Sequence, residues 1–192
     1  AVSVVLSERG WIRSGKGHEL DPEAMSYKSG DNFAFVARGK SNQPTVLIDS
    51  SGRSYSLQTH LLPSARGQGE PITTKLNPQP GATMKALLLG NPEAQYLLSS
   101  DAGYGFVGKL SDMLSKNKAG KNLITVPDNA RILAPAKISD PEKSWIAAVS
   151  NEGRMLVFPA ADLPQMARGK GNKMISINSA KAAAREELMV GA

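Results

Sequence analysis

The sequence predicts an all-β, propeller-like array of four-stranded antiparallel blades. Three observations carry that reading: an internal repeat near fifty residues, two glycine landmarks that share its period, and four short strand-like runs in each copy. The first landmark is the turn glycine of "VLSERGWIRS", "VLIDSSGRSYSL", "LLSSDAGYGFVG" and "AAVSNEGRMLVF", at Gly10, Gly52, Gly103 and Gly153. These steps are 42, 51 and 50 residues. The second is the glycine of a basic loop, at Gly69, Gly120 and Gly171, spaced by 51 and 51, each followed three residues later by an apolar residue (Ile72, Leu123, Met174).

The elements of one copy follow in order. A strand over 83–89 or 131–138 comes first, then Gln95–Ser99 or Trp145–Ser150. A tight turn of the type "SDAG" or "SNEG" leads into Tyr104–Lys109 or 154–159, because glycine accepts the positive φ that a hairpin turn demands. A polar connection then ends in the basic loop, and a last short strand is expected over 72–76, 123–126 and 174–177. The first copy lacks its leading strand and begins mid-blade at 2–6. The chain is thus expected as a single domain over 1–192, with a partial repeat over 1–40, full repeats over 41–80, 81–127 and 128–177, and an Ala-rich tail or linker over 178–192.

The balance of charge narrows the partner. Among 192 residues, 23 Lys and Arg oppose 17 acids, for a net charge of +6, which favours polyanions. The absence of Cys excludes disulfides and thiolate metal sites and fits a reducing compartment. No apolar run approaches the roughly 18 residues of a membrane helix, and "AVSVVLSERGW" lacks the basic leader of a signal peptide. A start directly on a strand is expected of a fragment of something longer.

The basic loops "SARGQGEP", "NKAGKNLI" and "MARGKGNK" fit a nucleic-acid backbone. A loop with separated glycines would expose backbone N–H groups, and an adjoining Arg or Lys would add charge-assisted bonds to phosphate oxygens. Three such loops at equal spacing should lie at one level on successive blades, forming a basic track for a duplex. The bland alternative is that the glycines serve turn geometry and the cations are merely solvated.

"SGKGHELD", "SNQPTVLIDSSGRSYSL", "LPSARGQGEP", "SDAGYGFV", "NKAGKNLIT" and "GRMLVFPAADLPQMARGKGNK" together resemble the C-terminal domains of topoisomerase IV A subunits, a family paralogous to the C-terminal domain of gyrase A. The resemblance runs from about Leu6 to Ile177. It implies a broken β-propeller, or β-pinwheel, with hairpins exchanged between neighbouring blades, and a rim that binds and bends double-stranded DNA. It implies a bacterial, cytoplasmic and nucleoid-associated protein, partnered by the rest of its own polypeptide and by the ATPase subunit of the topoisomerase. The fragment itself is expected to be monomeric, without membrane contact and without a cofactor. ATP and Mg2+ are implied only for the whole enzyme, whose catalytic residues the resemblance places outside this chain. On this footing the expected DNA contacts are Arg66, Lys118, Lys121, Arg168, Lys170 and Lys173, with Lys16, Arg13, Arg38 and Lys40 behind them; Gly67, Gly69, Gly120, Gly169 and Gly171 would shape the loops. The gyrase relative carries a box, Gln-Arg-Arg-Gly-Gly-Lys-Gly, for full wrapping. No copy here is complete, so the resemblance implies bending and decatenation rather than tight wrapping.

Other chemistries find little footing. His18 and His60 stand 42 residues apart with no companion at metal-ligand spacing, "HELD" lacks a second His, and "SGKGHE" lacks P-loop spacing. No Gly-x-Ser-x-Gly elbow is present. Of Tyr27, Tyr55, Tyr96 and Tyr104, the resemblance makes none the strand-breaking residue; Tyr55 and Tyr104, just past turn glycines, are expected to pack on strands, and Trp11 and Trp145 in the core. The rival reading is a protein-docking scaffold, with a face near "DPEKSW" or "NPEAQ".

Overall fold

A computed structural model describes residues 1–192. The strands of its first half are β1 (Val2–Ser7), β2 (Trp11–Lys16), β3 (Phe33–Gly39), β4 (Pro44–Asp49), β5 (Arg53–Gln58), β6 (Glu70–Pro71) and β7 (Met84–Leu89). Those of the second half are β8 (Gln95–Ser99), β9 (Tyr104–Lys109), β10 (Lys121–Asn122), β11 (Ala136–Ile138), β12 (Trp145–Ser150), β13 (Met155–Pro159), β14 (Asn172–Lys173) and β15 (Met189–Gly191). They form four antiparallel sheets in the orders β3-β1-β2-β6, β7-β4-β5-β10, β11-β8-β9-β14 and β15-β12-β13. The all-β blade architecture expected from the sequence is the one observed.

The sequence repeat is not the sheet, and this corrects the strand-by-strand reading. Each hairpin supplies the two inner strands of its own sheet. Both outer strands come from the flanks of the next hairpin, so β7 and β10 bracket β4–β5 although β8–β9 lies between them in sequence. Periodicity locates strands but does not pair them; the exchange of hairpins implied by the family resemblance describes the pairing.

The short outer strands sit two residues earlier than expected, at Glu70–Pro71, Lys121–Asn122 and Asn172–Lys173. The cause recurs in every copy. The next apolar residue turns inward and its N–H bonds to the carbonyl of a turn glycine: Ile72 to Gly10 (2.9 Å), Leu123 to Gly52 (3.1 Å), Met174 to Gly103 (2.7 Å). All three side chains are buried, each worth roughly 1.5–3 kcal/mol by area. Burial of that residue ends the strand. Over 131–138 only Ala136–Ile138 is regular strand, with Ile132 bridging Ser100. The segment 178–192, expected as tail or linker, is a short helix, α1 (Ser179–Ala183), capped by the Asn178 side chain, followed by β15, whose Met189 is fully buried.

Contacts divide the chain into two compact units. The first comprises Ala1–Asp49, Ser54–Pro92 and Leu114–Lys121; the second comprises Ser50–Arg53, Glu93–Met113 and Asn122–Ala192. The first has a core of Val4, Leu6, Ile12, Leu47, Tyr55, Ile72, Leu76, Leu87 and Leu89. The second is built around Leu97, Val107, Ile146, Ala148, Met174, Ile177 and Met189. The fourth sheet lacks the outer strand that covers β2, β5 and β9, so β13 carries no partner on that side and Met155, Leu156 and Val157 are exposed. Trp145, expected in the core, is 68% exposed. Strand alternation sends Ile146 and Ala148 inward and leaves Trp145 outside.

Candidate nucleic-acid interface

Each basic loop is the hinge of a connector that returns to the preceding sheet. In the first unit the connector docks alongside β2, where Ser14 N–H bonds Pro63 O (2.8 Å) and Ala65 N–H bonds Ser14 O (2.9 Å). In the second unit the same ladder joins Val107 to Pro164 (3.0 Å) and Met166 to Val107 (2.9 Å). The middle connector uses side chains: Ser56 Oγ donates to Ser115 O (2.9 Å) and accepts from Ser115 N–H (3.0 Å). The chain then turns through the basic loop and pairs as β6, β10 or β14. All three loops thus occupy one topological position.

The last glycine of each loop is imposed by packing. Gly171 has φ +84°, and a Cβ there would lie 2.0 Å from the Gly105 carbonyl oxygen; Gly69 repeats this with φ +85° and 2.4 Å to Ile12 O. Gly67 is looser and meets nothing closer than 3.9 Å, whereas a Cβ at Gly169 would lie 2.6 Å from Met166 Cε. The expectation of bare amides fails at three positions. Gly67 N–H bonds Ser64 O, Gly120 N–H bonds Asn117 O, and Gly169 N–H bonds Leu123 O. These three donors are used within the protein, which leaves the loop side chains as the charged groups facing outward.

Those side chains are free of acidic partners. Arg66, Lys118, Arg168, Lys170, Lys173, Lys16 and Lys40 are exposed and Lys121 is half-buried, and none enters an ion pair. The paired cations lie elsewhere: Lys109 with Glu93, Lys143 with Asp140, Arg154 with Glu187, Lys181 with Glu152 and Arg185 with Asp101. In the first unit Lys16 and Arg66 line one open cavity of about 860 Å³ together with His60 and Ser64. A second concavity of about 240 Å³ gathers Lys118 with Lys75 and Lys116, two cations not singled out from the sequence. Lys116 stands two residues before Lys118 in "SKNKAGKN" and shares its loop, which was the available signal. In the second unit Lys170 Nζ lies 4.3 Å from the Tyr104 ring centroid, and Lys173 pairs with Tyr104 across β14 and β9.

Two of the secondary candidates are braces. Arg38 donates to His18 O (2.8 Å) and Leu20 O (3.2 Å) while remaining exposed. Arg13 is 3% exposed, and its guanidinium donates to Gly67 O (2.8 Å) and Ser26 O (2.8 Å). It does not present itself to a ligand. Its strand position is that of an inward residue, and its charge masks that register in the sequence. No group of three or more His, Cys, Asp or Glu side chains is placed to hold a metal ion.

Comparison with known proteins bears on this geometry. Residues 144–188 match the family model described as the DNA gyrase C-terminal domain, beta-propeller. The chain is 53% identical over 188 residues to the A subunit of DNA topoisomerase 4 from Pseudomonas aeruginosa, covering 98% of this chain and 25% of that protein. It therefore spans about a quarter of the length of the curated relatives it matches. The solved C-terminal domain of Escherichia coli ParC superposes with a TM-score of 0.93 at 50% identity, over 98% of this chain and 77% of that one. A solved gyrase A C-terminal domain, 16% identical with a TM-score of 0.67 over 98% of this chain and 63% of its own, shares the fold.

Proposed function

Because the chain belongs to the family of C-terminal domains found in topoisomerase IV A subunits, we propose that it binds duplex DNA by its phosphate backbone, bends it, and presents segments to the catalytic core of a bacterial type IIA topoisomerase. The observation that carries this reading is the recurrence, at one topological position in three connectors, of outward-facing Arg and Lys that enter no ion pair. Arg66, Lys118, Lys121, Arg168, Lys170 and Lys173 are the proposed phosphate contacts, with Lys16, Arg38 and Lys40 behind them and Gly67, Gly69, Gly120, Gly169 and Gly171 shaping the loops. Phosphate contacts fix position without reading bases, so binding is largely indifferent to sequence. Bending costs on the order of a few kcal/mol, which contacts along successive loops offset. With no complete gyrase-type box, the bend stops short of full wrapping, which suits unlinking and relaxation rather than introducing supercoils. ATP, Mg2+ and the strand-breaking chemistry belong to the rest of the longer polypeptide and to the ATPase subunit, with which this domain acts in the bacterial cytoplasm.

The test is binding and bending of two duplexes of unrelated sequence by the chain and by an Arg66→Ala/Arg168→Ala/Lys170→Ala variant. The variant should lose affinity equally on both and should lower end-to-end energy transfer between dyes on the duplex. Loss on one sequence alone, or no loss, would contradict the reading.

A second reading, protein docking, is favoured by one feature: Trp145 is exposed at the start of β12. Trp145 closes "DPEKSW", whereas Tyr96, at the end of the "NPEAQ" run, is buried.

A further inference from the structure

One core slot differs among the hairpins. The residue three positions beyond the turn glycine pairs across the hairpin with Val5, Leu47 or Leu98. That residue is Tyr55 in the second hairpin and Phe106 in the third, both fully buried. In the first it is Arg13, equally inaccessible. A full charge thus sits where the second and third hairpins accept an aromatic ring. Burying an unpaired charge is costly, and no carboxylate lies within ion-pair distance of this guanidinium. Its compensation comes from two carbonyls and a ring: Gly67 O and Ser26 O, with the Tyr27 centroid 4.8 Å from the guanidinium carbon.

These partners belong to two segments that nothing in the hairpin itself requires to meet. Gly67 follows Arg66 in the basic loop. Ser26 and Tyr27 lie in the long excursion between β2 and β3. That excursion is itself tied down, by Tyr27 OH to Pro22 O (2.6 Å), by Arg38 to His18 and Leu20, and by the Arg9 and Asn32 amides on Asp31. A two-pronged donor in the slot joins this closed excursion to the turn that carries Arg66.

We propose that Arg13 is a positioning residue of the duplex-binding face: it fixes the Arg66–Gly67 turn against residues 17–31. The proposal rests on the assignment of Arg66 to DNA contact. Arg13→Tyr installs the residue of the second hairpin's slot and keeps a buried side chain; Arg13→Met serves if the tyrosine is not accommodated. Duplex affinity at fixed salt, thermal midpoint and amide exchange would be measured for Arg13→Tyr, Arg66→Ala and the double variant.

The expected result is an Arg13→Tyr protein that melts no lower than the parent yet binds about tenfold more weakly, with faster exchange at 22–30 and 64–69. The double variant should bind no more weakly than Arg66→Ala alone. Parent-like binding by Arg13→Tyr beside a weakened Arg66→Ala overturns the positioning role and leaves the DNA reading intact, as does a double variant whose losses simply add. An Arg66→Ala protein with undiminished affinity removes the assignment of Arg66 on which both depend.

Discussion

At the scale of single residues, close approach decides more than charge. Gly171 and Gly81 share positive φ, +84° and +83°, yet a Cβ at Gly171 strikes the Gly105 carbonyl at 2.0 Å while one at Gly81 meets nothing within 4 Å. Gly81→Ala should therefore cost only the backbone term, about 1–2 kcal/mol. Gly171→Ala should cost upward of about 3 kcal/mol, since β14 and the buried Met174 must shift as well. Urea melts of the two variants give the comparison directly. Asp31 makes a second case. Burial raises its pKa, but hydrogen bonds from the Ser7 hydroxyl and the Arg9 and Asn32 amides outweigh it and hold the carboxyl below its usual range. A depressed folded pKa supplies stability that is complete above the unfolded value and lost as pH falls through the folded one. Asp31→Asn should therefore destabilise most at neutral pH, with the difference from the parent shrinking below about pH 4. Urea midpoints at pH 7, 4 and 3 would show it, and a difference constant with pH would contradict it.

At the scale of elements, much of the fold is legible because glycine and alternation leave local marks. The hairpin strands Gln95–Ser99 and Tyr104–Lys109, and the strand Trp145–Ser150, have the bounds that the sequence predicts. What the chain does not advertise is partnership. Nothing local in Met84–Leu89 says that it pairs with β4 rather than β8. Phe33–Gly39 is hidden by the long excursion before it, although it keeps the period, since Phe33 lies 51 residues before Met84. The final strand hides in an Ala-rich stretch, where Met189 alone is apolar and deeply buried. At the candidate site the cations of the loops are legible by their beat. Arg13 reads as a surface cation because charge outweighs register, although it sits three residues past a turn glycine, as Tyr55 and Phe106 do. The incomplete fourth sheet adds an element-scale prediction. Exposed apolar side chains on an unpaired edge strand template association, so Leu156→Lys should raise the temperature at which the protein scatters light on heating, with its melting midpoint unchanged.

At the scale of the molecule, the question is whether a net charge of +6 is diffuse or organised. Diffuse charge would yield weak, position-independent attraction to any polyanion. Loops that each neutralise a phosphate release a countable number of ions. The deciding measurement is therefore affinity for a duplex of about 40 base pairs across a salt series, for the parent and for Arg66→Ala/Arg168→Ala/Lys170→Ala. The slope of log K against log salt should fall in the variant by about 0.9 for each contact removed. An unchanged slope would mean that these loops do not touch DNA.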